Sequence, residues 1–200
     1  QHFGATFEVR AVRDLFDQAG PNERHGEPGL AWRLRQGQRD TGGMALLSPA
    51  IGLSALADQI EPAVAGGRES LKVLTETLRQ FARDQFDGDR PPRQIELTLT
   101  SGVRAQPAWE DIEEVAVQLD LALQVLSSRL GTVAETLTTL ADEVADSRTL
   151  AQQAQRLRVT SDNARQVLRQ AALDPGREDI AWLVVGDGDG VKAGSLLDEL

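Results

Sequence analysis

A heptad repeat of apolar residues fills the middle of the chain and restricts its fold more than any other feature. From Trp109 to Val144 the apolar residues recur at alternating spacings of three and four, which is typical of a helix that buries one seam against a partner. Gly131 lies inside the repeat and costs about 1 kcal/mol relative to Ala in a helix, but it does not reset the phase as a loop would. We therefore predict one helix over residues 108–145, about 50 Å long at 1.5 Å per residue. The seam consists of Trp109, Ile112, Ala116, Leu119, Leu123, Leu126, Leu130, Val133, Leu137, Leu140 and Val144.

A second seam with the same spacing follows at once. Between Val144 and Leu150 the step is six residues, so the phase breaks there. A tight reversal near 145–149 would fold a second helix, 148–172, back on the first as an antiparallel hairpin, although a kinked continuous helix would shift the phase as well. We expect the hairpin, 108–172. The second seam is Leu150, Ala154, Leu157, Ser161, Ala164, Leu168 and Ala171.

The remaining segments predict shorter elements around this hairpin. Apolar spacing indicates helices over 9–20, around 30–35, over 48–61 and over 68–86, with Pro62 and Gly66-Gly67 interpreted as the break between the last two. Alternating residues predict strands at 94–99 and within 180–193, the latter folded at the turn "GDGDG". The expected fold is mainly α, a single domain over 1–200 in which a helical bundle contains a long antiparallel coiled-coil-like hairpin, with a small β element near the termini.

Composition excludes several kinds of site. The chain has no Cys, so it can form no disulfide, thiolate metal site or iron–sulfur cluster of its own, and its two His residues are too few for a His-based metal site. No run approaches the roughly 18 apolar residues of a membrane span. The expected location is cytoplasmic, which a chain without Cys fits. A net charge of −10 argues against a surface that coats nucleic acid throughout, but it leaves room for a local basic strip.

Known catalytic and ligand-binding motifs do not fit this sequence. Neither lysine follows a Gly, so the phosphate-binding P-loop is absent. The stretch "GDGDGVKAG" contains G-x-G-x-x-A, but it lacks the following helix and second parallel strand of a dinucleotide site, and its register fails for a calcium loop. The acidic pairs of the long helix are interpreted as a solvated face. We expect no catalytic residue, no metal and no cofactor in the chain.

Three stretches of the chain are "FGATFEVRAVRDLFDQA", "LTLTSGVRAQPAWEDIEEVAVQLDLALQVLSSRL" and "DIAWLVVGDGDGVKAGSLLDEL". They resemble segments of DinG/XPD-like superfamily 2 DNA helicases. The first stretch is similar to the segment that follows the DEAH box in that family. The second resembles another family pattern, and the third resembles the strand pair before the next helicase motif, although its core is shortened to "AGS". The positions that match are Gly4, Val12, Leu15 and Phe16 near the start, Leu97, Thr98, Arg104, Pro107, Ala108 and Trp109 in the middle, and Trp182, Ala193, Leu196 and Leu197 near the end.

The resemblance implies that the chain is an arch-like domain inserted in the first motor domain of a 5′-to-3′ helicase that acts in DNA repair. The Walker A loop, the DEAH box and any cluster cysteines would then lie outside residues 1–200. ATP and Mg²⁺ would bind the parent protein, and the partners would be single-stranded DNA and the motor domains in cis. The alternative is a coiled-coil adaptor that binds protein partners, and self-association of the isolated chain is compatible with both.

Two groups of arginines are the candidates for DNA contact. Arg158, Arg165 and Arg169 are spaced seven and four, which places them on one face of the second hairpin helix. Arg79 and Arg83 share a face of the preceding helix in the same way. Such residues would follow phosphates without reading bases. For any single one of them, the alternative is a solvated or ion-paired surface residue worth about 0–1 kcal/mol.

Overall fold

The computed structural model describes residues 6–21, 23–24, 27–40, 48–86, 94–140, 146–173, 179–186 and 190–197. The described residues form six α-helices and six strands, so the fold is mainly α with a small β element, as predicted. The helices are α1 (Val9–Ala19), α2 (Leu30–Asp40), α3 (Ser48–Asp84), α4 (Ser101–Arg104), α5 (Pro107–Thr139) and α6 (Ser147–Leu168), with a π-helical turn, Arg169–Leu173, directly after α6. The strands are β1 (Thr6–Glu8), β2 (Glu23–Arg24), β3 (Glu27–Pro28), β4 (Gln94–Leu99), β5 (Asp179–Gly186) and β6 (Val191–Leu197). None of these helices carries the long apolar run that crossing a membrane requires.

Contacts within the chain divide it into two compact units. The first, here the sheet unit, consists of Gln1–Arg13, Glu69–Leu121 and Asn163–Leu200. The second, here the helical unit, consists of Asp14–Arg68 and Ala122–Asp162. The sheet unit contains β1, β4, β5 and β6 with the segments of helix that accompany them, and the helical unit contains α2 and the β2–β3 pair.

The sheet has the order β1-β6-β5-β4, and every neighbouring pair is antiparallel. Gly186 N donates to Gly190 O at 2.9 Å and closes the β5–β6 hairpin, which confirms the predicted hairpin. Residues 187–189 of the predicted turn lie outside the described residues. The alternation in β4 also holds, because Ile95 and Leu99 are buried. Strand β1 was not predicted. The buried face of the sheet consists of Phe7, Ile95, Leu99, Leu183, Val185, Val191 and Ala193.

Helix α5 confirms the long helix over most of its predicted length. It continues through Gly131 without a break and ends at Thr139, and residues 141–145 of the predicted helix lie outside the described residues. The seam residues from Trp109 to Leu137 are all at most 1% exposed, which is the burial that the heptad spacing predicts.

Helix α6 confirms the second predicted helix and packs antiparallel to α5 in the helical unit. Ser161 Oγ donates to the Leu123 carbonyl at 2.9 Å, and Ser127 Oγ donates to Asp162 at 2.7 Å. Leu123 of α5 contacts Ser161 of α6, whereas Gly131, eight residues later in α5, lies beside Arg158, three residues earlier in α6. The two helices therefore run in opposite directions.

The predicted break in the third helix is wrong. The sequence was expected to form helices 48–61 and 68–86, but α3 is continuous from Ser48 to Asp84 with Pro62 inside it. Pro62 lacks the N–H that would bond the Asp58 carbonyl, and both residues are exposed, so water can reach that carbonyl. Gly67 is required for packing and does not end the helix. A Cβ at Gly67 would lie within 2.5 Å of Cε1 of Phe16.

A smaller difference concerns α2. A short helix was predicted around 30–35 with a loop from Gly37 onward, whereas the helix extends to Asp40. By contrast, α1 matches its prediction to within one residue at its end.

Candidate nucleic-acid interface

Asp120 of α5 is a buried carboxylate in the sheet unit. It follows Leu119 of the apolar seam, and its side chain is only 5% exposed. A carboxylate at such a position loses much of its hydration, so it needs partners that donate to it. Asp120 is the only acidic residue of α5 between Glu114 and Glu135.

Arg165 and Arg169 both donate to this carboxylate. Arg169 holds it at close range, with Nε 2.9 Å from Oδ1 and Nη2 2.8 Å from Oδ2. Arg165 makes the same pair of contacts at 3.2 and 3.3 Å. Each guanidinium therefore presents its Nε–Nη2 side to both carboxylate oxygens, a bidentate geometry that fixes its orientation as well as its position.

The charges of the three residues are coupled. Burial raises the pKa of Asp120, but the hydrogen bonds from Arg169 and Arg165 outweigh it, and the net pKa lies below its ordinary value. The hydrogen bond to Asp120 raises the pKa of Arg169. The carboxylate is thus ionised at neutral pH, and the Arg169 guanidinium stays charged.

Arg158 has a different environment, in the helical unit. It is half-buried along α5, where a Cβ at Gly131 would lie 3.4 Å from its Nη1 and 3.6 Å from its Cδ. The absence of a side chain at Gly131 leaves space for the Arg158 stem against the α5 backbone. Arg158 is on the same helix as Arg165, as predicted, but it does not bind Asp120.

Arg79 and Arg83 lie on α3 within the sheet unit. Arg79 is half-buried, and Arg83 is exposed in the last turn. Within the described part of the chain neither of them has an ion pair or hydrogen bond to its side chain. Contact of any of the five arginines with DNA stays a prediction.

Arg104 and Trp109, which carry part of the helicase resemblance, have a packing role. The Arg104 guanidinium lies 5.4 Å from the centre of the Trp109 ring, and its Nη2 donates to the Ala171 carbonyl at 3.3 Å. Trp109 is buried, meets Phe81 edge-on at 5.4 Å and donates from Nε1 to Glu113 at 3.0 Å. These contacts join α4, α5 and the π-helical turn within the sheet unit.

The arrangement as a whole offers charge and hydrogen-bond donors, which suits binding of an anion. In the part of the chain that the structure describes, no three His, Asp or Glu residues are grouped closely enough to hold a metal ion. Comparison of the chain with protein-family models, with curated proteins and with solved structures finds no match.

Proposed function

We propose that the chain is an accessory, arch-like domain inserted in an ATP-dependent DNA helicase, where it helps to shape the passage for a single strand and catalyses nothing itself. The observation that supports an inserted domain best is the pairing of β1 with β6. Thr6 lies opposite Gly194 and Glu8 opposite Lys192, and Lys192 Nζ bonds Glu8 Oε1 at 2.8 Å. The first and last described strands of the sheet unit are therefore neighbours, an arrangement that is common in domains and that suits insertion in a host domain.

The charge distribution supports contact with a phosphate backbone and not with bases. The chain is acidic overall, so any attraction to nucleic acid has to come from local groups of arginine. Arg169, with 55% of its side chain exposed, and Arg83, at the exposed end of α3, are the most accessible of the five candidates. We expect weak binding by the chain alone and assign most of the affinity to the motor domains in cis.

The remaining parts of the proposal follow from the sequence resemblance. ATP and Mg²⁺ bind the parent motor domains, the polarity of unwinding is 5′ to 3′, and the parent acts in DNA repair. We place it in the cytoplasm, with which a chain free of cysteine is consistent.

Replacement of the domain in the parent protein tests this proposal. The coding sequence upstream of Gln1 is read first, since an Asp-Glu-Ala-His box is expected there and its absence would refute the helicase assignment. Residues 6–197 are then replaced by a short Gly-Ser linker, which the adjacent β1 and β6 allow. We expect ATP hydrolysis to persist while strand unwinding falls. Unwinding at the parental rate would show that the domain has no part in it.

An adaptor function is the second candidate, and one observation favours it. Val117 and Leu121 lie one turn apart on α5 and are 43% and 49% exposed, although both are apolar. A protein partner could cover them. If the adaptor function is correct, changing both residues to Gln should abolish binding to such a partner. The helicase proposal predicts unchanged unwinding by the parent protein that carries the same variant.

A further inference from the structure

The geometry at Asp120 leaves a specific set of donors unused. Arg165 and Arg169 each donate to the carboxylate from Nε and from one N–H of Nη2. Arginine has five N–H donors, so Nη1 of each residue, with its two N–H groups, stays available. Neither Nη1 has a partner within the described residues.

The local charge at this site is positive, in contrast to the chain as a whole. Within one turn of Asp120 on α5, residues 116–124, Asp120 is the only charged residue. Over residues 165–173 of the other side, Arg165 and Arg169 are the only charged residues, and Asp162, three residues before Arg165, is exposed and accepts a hydrogen bond from Ser127 Oγ at 2.7 Å. The charge that follows is therefore that of the three hydrogen-bonded residues alone. One carboxylate and two guanidiniums give a net charge of +1. Arg169 is 55% exposed and Arg165 is 20% exposed, so a ligand from solvent meets Arg169 first.

We propose that Arg165 and Arg169 form a binding site for one backbone phosphodiester of single-stranded nucleic acid, and that Asp120 is a positioning residue that holds their Nη1 groups outward. A phosphodiester carries a charge of −1, which the local +1 matches, whereas a phosphomonoester carries about −1.5 to −2 at neutral pH. Guanidinium is suited to a phosphate because it donates two parallel hydrogen bonds. The inference rests on the proposed function in one respect, that nucleic acid is the ligand.

The proposed role of Asp120 can be tested with Asp120→Asn, because charge and geometry predict opposite changes in the affinity of this variant for nucleic acid. Asp120→Asn removes a negative charge and so raises the local charge to about +2, which by attraction alone would tighten binding to an anion. Loss of the carboxylate also frees the two guanidiniums to adopt other rotamers, which weakens a site that depends on their orientation. Asp111→Asn is the matched control, because Asp111 is exposed on the same helix and changes the total charge equally.

The experiment uses the 200-residue chain and a fluorescein-labelled oligothymidine, with binding followed by fluorescence anisotropy at low salt. We expect Arg169→Gln to weaken binding about fivefold to tenfold and to reduce the slope of log K against log salt by about 0.7, the value for one phosphate on a single strand. Arg129→Gln, the same change at an exposed arginine of α5, is expected to have a smaller effect. Asp120→Asn is expected to weaken binding about threefold and Asp111→Asn to leave it equal or tighter.

Each other outcome overturns a stated part of the inference. Equal effects of Arg169→Gln and Arg129→Gln would remove the phosphate site, and tighter binding by Asp120→Asn would remove the positioning role. Absence of oligonucleotide binding by the unaltered chain at low salt would remove the site altogether. The proposed helicase function is decided separately by unwinding in the parent protein. Circular dichroism of each variant shows whether it is folded, and Arg169→Gln, at a half-exposed side chain, keeps the test valid if Asp120→Asn unfolds.

Discussion

Gly67 of α3 lies directly against the ring of Phe16 in α1. A Cβ at position 67 would come within 2.5 Å of Cε1 of a phenylalanine that is fully buried. The adjacent Gly66, one residue earlier in the same helix, has no atom within 4 Å of the place where its Cβ would lie. Two neighbouring glycines thus have opposite environments.

The pair predicts opposite effects of the same substitution. Gly66→Ala should stabilise the protein by about 0.5–1 kcal/mol, because alanine has the higher helix propensity and there is space for its methyl group. Gly67→Ala should destabilise it by about 1–3 kcal/mol, because the new methyl group overlaps a ring in a packed core. Urea unfolding of both variants measures this. A gain of stability at position 67 would mean that Phe16 moves freely.

Replacement of Pro62 should stabilise the chain. A proline inside a helix removes one hydrogen bond and costs about 3 kcal/mol, and part of that cost is offset because proline also restricts the unfolded chain. Pro62 is exposed, so no packing is lost with it. We expect Pro62→Ala to raise the free energy of unfolding by about 1–3 kcal/mol in urea titrations. A decrease would indicate that a bend at Pro62 is needed for α3 to reach its contacts.

Gly131→Ala should be tolerated and mildly stabilising. The new Cβ would lie 3.4 Å from Arg158 Nη1, which is the flexible end of a long side chain. The helix around it is continuous, so the gain is set by propensity, about 0.5–1 kcal/mol. The midpoint of thermal unfolding is the measurement. A large loss of stability would mean that Arg158 cannot move away from the new methyl group.

Asp120 predicts how stability depends on pH. Its pKa in the folded chain is lower than the ordinary value of 3.8, so the carboxylate stabilises the fold above that value and its contribution is lost as the pH falls through the folded pKa. At neutral pH, Asp120→Asn should cost about 1–3 kcal/mol, less than for a fully enclosed pair because Arg169 can be rehydrated. The difference between the parent chain and the variant should stay constant while the pH is well above the ordinary pKa of 3.8 and should shrink as the pH falls below it. A difference that grows in acid would contradict the assigned direction.

The comparison of α5 with α3 shows what sequence can predict here. In α5 the regular spacing was given more weight than the low helix propensity of Gly131, and the helix is continuous. In α3 the local effects of Pro62 and two glycines were given more weight, and the predicted break is wrong. Yet the buried residues of α3 also keep spacings of three and four through Gly67, so the same criterion would have predicted a single helix. These residues are Leu53, Leu56, Ile60, Val64, Gly67, Leu71, Leu74, Leu78 and Phe81.

Other features depend on partners that are distant in sequence. Strand β1 has only three residues and owes its conformation to β6, which lies at the other end of the chain. Helical spacing correctly placed Arg165 and Arg169 together, but their link to Asp120 depends on the alignment of two helices, which spacing within one helix does not determine. The signal in the sequence that could have found this link is Asp120 itself, the only acidic residue between Glu114 and Glu135, directly after Leu119 of the apolar seam.

The antiparallel pairing of β1 and β6 also determines how the sheet responds to mechanical load. Tension that separates the two ends of the chain acts first on the Thr6–Gly194 pair, then on Phe7–Ala193, and then on Glu8–Lys192. The pairs are loaded one after another and not all at once, so the strands peel apart at low force. A strong pull on the two ends would therefore detach β1 before it disturbed the buried seam of α5.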